Sequence, residues 1–192
     1  MRLFLAVDLP DVLLQKITDG IRQLQELAGG LGNFRWVASG NMHLTLKFLG
    51  EMTDSQTEML IDCCAAGFRL GNVTLTLGKT GFFPSAVRPR IFWQGFAAGA
   101  EALRMMAAQA DECAARVGVP REGRSYVPHL TLARIKQVRT SHRSAFRRFQ
   151  QVAENLLPVG GEFFVGESVL YESRLTSLGA EYRRLAIFPM EQ

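Results

Sequence analysis

His43-Leu44-Thr45-Leu46-Lys47-Phe48 and His129-Leu130-Thr131-Leu132-Ala133-Arg134 open on the same tetrapeptide. On a β-strand alternate residues share a face, so each histidine lies beside the threonine two positions on, while the leucines turn the other way. The chain has three histidines, and two of them begin this phrase. The copies stand nearly half a chain length apart, each preceded by a helical stretch and a loop and followed by another helix. This weak internal duplication predicts two similar lobes whose motif strands face each other across a central cleft.

Working outward, Arg2 to Leu9 reads as a buried strand, and Leu13, Leu14, Ile17, Ile21, Leu24 and Leu27 recur at helical spacing until Gly29-Gly30 stops them. Phe34-Arg35-Trp36-Val37 is a short strand signal. The first motif strand is expected over about 42–49, and Ser55 to about Leu70 as a helix with Met59, Leu60 and Cys63 on its apolar side. Val73–Leu77 alternates as a strand and Pro89 to Phe96 reads as another, apolar one, with a loop between them that carries Arg88 and Arg90, and Ala100 to about Val117 is helical by propensity. The second motif strand is expected over about 127–135, followed by a basic helix from about Thr140 to Ala153 and strands near 162–172 and 181–188. Helices alternating with adjacent strand pairs give an α+β class with antiparallel sheets. No linker rich in Pro, Gly or Ser divides the chain, so residues 1–192 read as one bilobal domain.

The 22 Lys and Arg against 18 Asp and Glu leave a net charge of +4, which admits a polyanionic partner without demanding one. No apolar run approaches the roughly 20 residues of a membrane-spanning helix, and the opening run is too short for a signal peptide. The expected location is the cytoplasm, without membrane association. Cys63, Cys64 and Cys113 are odd in number and lack metal-type spacing, so reduced thiols are expected there.

A facing pair of imidazoles suits acid–base chemistry, because one ring can be neutral while the other is protonated. One takes a proton from an attacking hydroxyl or water and the other gives a proton to the leaving oxygen. The hydroxyls of Thr45 and Thr131 can donate hydrogen bonds to an anionic oxygen between them. That arrangement suits in-line displacement at phosphorus. Zinc ordinarily takes three or four protein ligands, and neither motif offers a second His, a Cys or a carboxylate on its histidine face, so no metal and no cofactor are expected. A single His-x-Thr is ordinarily structural, and the threonines suit a strand by propensity alone; repetition is what favours chemistry.

Five residues after each histidine stand Phe48 and Arg134. Strict alternation turns both away from the histidine face, so reaching the cleft requires a bulge or a strand end. Given one, Phe48 can stack on a base and Arg134 can clamp a phosphate; otherwise Phe48 packs in the core and Arg134 is a solvated strand end. Arg88, Arg90, Arg121 and Arg124 lie in loops able to border the cleft. The basic run 139–148, with Arg143 and Arg147 one turn apart, can track a nucleic-acid backbone, although a solvated helix face is the commoner outcome.

The two motifs, the opening Arg2–Pro10, the Phe83-Pro84-Ser85 loop with Arg88-Pro89-Arg90, and the closing Leu170-Tyr171-Glu172-Ser173 with Phe188-Pro189 resemble the 2H phosphoesterase superfamily. Within it the chain is most similar to the bacterial and archaeal RNA 2′,3′-cyclic phosphodiesterases, historically named 2′-5′ RNA ligases. The resemblance implies a bilobal fold with pseudo-twofold symmetry and metal-independent opening of a 2′,3′-cyclic phosphate to a 2′-phosphomonoester. It makes His43 the proton donor to the leaving 3′ oxygen and His129 the base that activates water, with Thr45, Thr131 and Arg134 on the phosphate. It implies RNA ends or small cyclic nucleotides as partners, and no obligate protein partner. The reverse reaction, 2′-5′ ligation, uses the same groups, and a non-catalytic module that binds RNA ends or nucleotides is the alternative from a different class.

Overall fold

The computed structural model describes residues 1–67, 73–138, 143–177 and 179–190. Four helices, α1 (Asp11–Ala28), α2 (Asp54–Gly67), α3 (Ala100–Arg116) and α4 (Arg143–Leu156), accompany nine strands among those residues. The strands are β1 (Arg2–Asp8), β2 (Gly32–Trp36), β3 (His43–Glu51), β4 (Val73–Phe83), β5 (Ile91–Ala98), β6 (Leu130–Val138), β7 (Glu162–Val165), β8 (Glu167–Thr176) and β9 (Gly179–Pro189). They form two sheets, in the orders β3-β1-β8-β9 and β2-β6-β5-β4-β7, and the paired strands run antiparallel.

Leaving β2 aside, the sheets repeat one plan. Each motif strand, β3 or β6, lies beside the strand that runs into the preceding helix, β1 into α1 or β5 into α3. The lobes are not successive halves of the chain: β8 and β9 complete the first sheet, and β2 crosses over to pair with β6 in the second. Only the sheet pairings show this crossing, because strand periodicity says nothing about partners.

One contiguous core joins the lobes, because the leucines of both motifs turn inward together. Leu44, Leu130 and Leu132 are fully buried with Leu5, Ile17, Leu103, Met106 and Phe146. Truncating such a leucine to alanine costs about 2–5 kcal/mol. The helix expected over 140–153 starts at Arg143, and its residues 139–142 lie outside the described residues. Phe149 on α4 packs against Phe34 and Phe92, while Arg147 and Arg148 stay exposed.

The cysteines depart from expectation. Cys63 on α2 and Cys113 on α3 form a disulfide with a Cα separation of 5.7 Å, and Cys64 alone is free and buried. A count of cysteines cannot show that two helices 50 residues apart lie side by side. Burial pushes the Cys64 thiol up to about 12.

Candidate active site

The two motif strands deviate from a flat ladder at the same place. Opposite β3, Ala6 pairs with Thr45 but Leu5 pairs with Lys47, so Leu46 is an extra residue. Opposite β6, Trp93 pairs with Thr131 but Phe92 pairs with Ala133, so Leu132 is an extra residue. A bulge at the last leucine of each tetrapeptide shifts the alternation by one. In both strands that leucine and its successor are buried, and the next residue, Phe48 or Arg134, is exposed. The condition for Phe48 and Arg134 to reach the histidine face is met, and the core-packing alternative for Phe48 is not what the structure shows: its side chain is 62% exposed.

His43 begins β3, whereas His129 stands one residue ahead of β6 because Pro128 before it has no N–H for the ladder. Each imidazole is held by the main chain two residues earlier. The Nδ1 of His129 lies 2.8 Å from the Val127 carbonyl oxygen, and His43 bonds the Asn41 backbone. With Nδ1–H donating to Val127, Nε2 of His129 is left to exchange protons.

Both rings are half-buried. His43 lies 4.7 Å from the Phe4 ring and edge-on to Tyr182 at 5.2 Å, with Tyr171 at 6.2 Å. Phe83 meets His129 edge-on at 5.1 Å and stacks on Trp93 at 4.9 Å. Burial lowers the pKa of His43 to about 4, against the raising effects of the Asn41 bond and the Asp8 carboxylate, and Arg134 lowers it further. His129 is also lowered, first by burial and then by Arg134, with the Val127 bond opposing. Arg134 is therefore within electrostatic range of both imidazoles.

The second lobe is tied to the first by the segment ahead of His129. The Tyr126 hydroxyl donates to the Thr45 carbonyl at 2.8 Å, and burial raises that phenol's pKa. Lys47, buried, donates to the Pro120 carbonyl at 3.0 Å and pairs with Asp111 at 2.7 Å. Between the lobes opens a cleft of about 1120 Å³ lined by Thr45, Phe48, Phe83, Arg90, Arg124 and His129, among others. His43 and Arg134 are not among the residues that line it, nor is Thr131, half-buried opposite Trp93. Of the loop arginines, Arg90 and Arg124 line the cleft. Arg121 instead turns to α3, paired with Glu112 and 3.6 Å from Asp111.

Sequence reasoning assigned no role to the groups packed around the histidines. Asp8 lies directly across the β1–β3 ladder from His43 and accepts hydrogen bonds from the Tyr171 hydroxyl at 2.8 and 2.7 Å and from Arg184. The Tyr171 phenol is pushed up to about 12, chiefly by burial and by Asp8. Period-two alternation from Phe4 through Ala6 to Asp8 puts these on one face, and that was the available signal.

A family model described as LigT like Phosphoesterase matches residues 14–93 and 97–182. An RNA 2′,3′-cyclic phosphodiesterase of Aquifex aeolicus is 31% identical over 151 residues, covering 77% of each chain. One of Archaeoglobus fulgidus is 29% identical and covers 98% of this chain and 99% of its own. The crystal structure of Escherichia coli LigT complexed with 3′-AMP superposes with a TM-score of 0.76 at 28% identity, covering 100% of this chain and 98% of that one.

Proposed function

The chain belongs to the LigT-like phosphoesterases, and on that premise we propose that it hydrolyses RNA 2′,3′-cyclic phosphate ends to 2′-phosphomonoesters by acid–base catalysis between His43 and His129. The observation that supports this most is the shared design of the two strands. Each presents a backbone-anchored imidazole, a threonine two residues on, and a bulge that turns the residue five positions on to the same side.

His129 Nε2 takes a proton from water as its oxygen bonds phosphorus. The bond from phosphorus to the 3′ oxygen breaks, and that oxygen leaves with a proton from His43. The product carries a 2′-phosphate and a 3′-hydroxyl, and the two rings exchange their protonation states back through solvent. Thr45 and Thr131 donate to the non-bridging oxygens, and Arg134 balances the charge that develops on them. Asp8 stands beside His43, and Gly95, the residue after the Gln94 that pairs with Leu130, offers no side chain to His129. The Asp8 carboxylate favours the protonated imidazole but does not overcome burial, which lowers His43 to about 4 in the free protein; the donor role of His43 rests on the family resemblance, and a bound phosphate anion favours its charged form.

An RNA-end substrate fits a cytoplasmic location; no helix among the described residues is long and apolar enough to cross a membrane. The test is incubation with an oligonucleotide ending in a 2′,3′-cyclic phosphate, with chelator present. A 2′-phosphate terminus is expected, and His43→Ala or His129→Ala should lower kcat by roughly 10²–10⁴ while binding persists. A 3′-phosphate product, no turnover, or binding without turnover by the unaltered protein overturns the proposal.

A further inference from the structure

Beyond the cleft wall, a row of side chains leads outward across the second sheet. Ile91 on β5 lines the cleft, Arg134 on β6 is its ladder partner, and Arg35 on β2 is the partner of Arg134. Arg35 sits at the sheet's edge, since among the described residues β2 has no neighbour beyond β6. Its flanking residues point the other way: Phe34 packs on Phe149 and Trp36 on Phe92, both in the core. Alternation therefore leaves Arg35 on the exposed face with Arg134.

Two guanidinium groups directly opposite on adjacent strands repel each other. Among the described residues no carboxylate pairs with either, although ion pairs engage Arg121, Arg174, Arg183 and Arg184 elsewhere. An anion between or beyond the two arginines relieves that repulsion, and of the two it is Arg134 that acts electrostatically on both histidines. The outer guanidinium is then free for a second anionic group, one step further from the reacting phosphorus. On an RNA end closed by a 2′,3′-cyclic phosphate, the terminal nucleotide continues only through its 5′ oxygen. The next anion is therefore its 5′ phosphodiester.

We infer that Arg35 binds the phosphodiester on the 5′ side of the terminal nucleotide, so that the site prefers oligonucleotide ends over cyclic mononucleotides. This rests on the proposed hydrolysis of cyclic phosphate ends and adds a determinant of substrate length to it. Arg35 is a specificity residue and touches no reacting atom.

The experiment compares a trinucleotide ending in a 2′,3′-cyclic phosphate with a 2′,3′-cyclic mononucleotide, for the unaltered protein, Arg35→Gln and Arg35→Lys. Thermal unfolding of each variant confirms folding. Expected is a preference for the trinucleotide that Arg35→Gln reduces roughly tenfold, mainly through KM. The slope of log KM against log salt should fall by about one with the trinucleotide, and Arg35→Lys should restore most of both effects. Equal turnover of the two substrates by the unaltered protein, or an unchanged ratio in Arg35→Gln, overturns the inference. If neither substrate turns over, the hydrolytic reading fails instead. Titration with the 2′-phosphorylated trinucleotide and the 2′-phosphorylated mononucleotide then decides the inference by the same ratio, expected to fall in Arg35→Gln and overturned if it does not.

Discussion

Phe48 and Arg134 occupy the same place in two copies of one strand, each five residues after its histidine and each turned toward it by a bulged leucine. The two positions carry different chemistries, a ring in one lobe and a cation in the other. The ring of Phe48 lies 6.1 Å from Phe4, which itself contacts His43.

Because Phe48 is 62% exposed, replacing it removes little from the core. Stacking of a base on an aromatic ring is worth about 1–3 kcal/mol. Phe48→Ala should therefore raise KM by roughly 5- to 150-fold, with little change in Tm. Steady-state kinetics beside a thermal melt check this, and a large loss of Tm with unchanged KM returns Phe48 to a packing role.

The pH dependence follows from the direction of both histidine shifts. His129 must be neutral and His43 protonated to react, and burial lowers both pKa values in the free protein, that of His43 to about 4. The free protein holds the reactive combination best on the acid side of the ordinary imidazole pKa of about 6.5. The kcat/KM optimum is thus expected below pH 6.5. The kcat optimum should lie higher, since a bound phosphate anion favours the charged form of His43. Asp8 raises the His43 pKa, so Asp8→Asn should carry the acid limb of kcat/KM to still lower pH and depress its maximum. An unmoved limb removes Asp8 from the mechanism.

The Cys63–Cys113 link closes 50 residues of chain between α2 and α3. Opening it costs about 2–4 kcal/mol, which for a protein of this size lowers Tm by roughly 5–15 °C. Melting under reducing and non-reducing conditions, with Cys63→Ser as a control, checks the value. Identical melts show that the link adds nothing to stability.

Much of the fold was legible because two periodicities dominate the chain. Strand alternation in His43-Leu44-Thr45-Leu46 and helical spacing from Leu13 to Leu24 mark which faces are apolar, and burial follows them. Pairings between distant segments were not legible, which is why β2 beside β6, the disulfide, and Asp8 opposite His43 emerge only in three dimensions. The histidines and threonines were found by repetition. Arg35 was hidden because a cation between two aromatics reads only as a half-exposed strand, and the bulges were anticipated as a requirement but carry no residue signature of their own.

The central claim is that His43 and His129 act from opposite sides on one phosphate. A crystal structure of the protein soaked with inorganic phosphate tests it most directly. One phosphate should bind with both imidazole Nε2 atoms within hydrogen-bond distance of its oxygens and the threonine hydroxyls alongside. A phosphate held by a single histidine, or seated away from both, contradicts the claim.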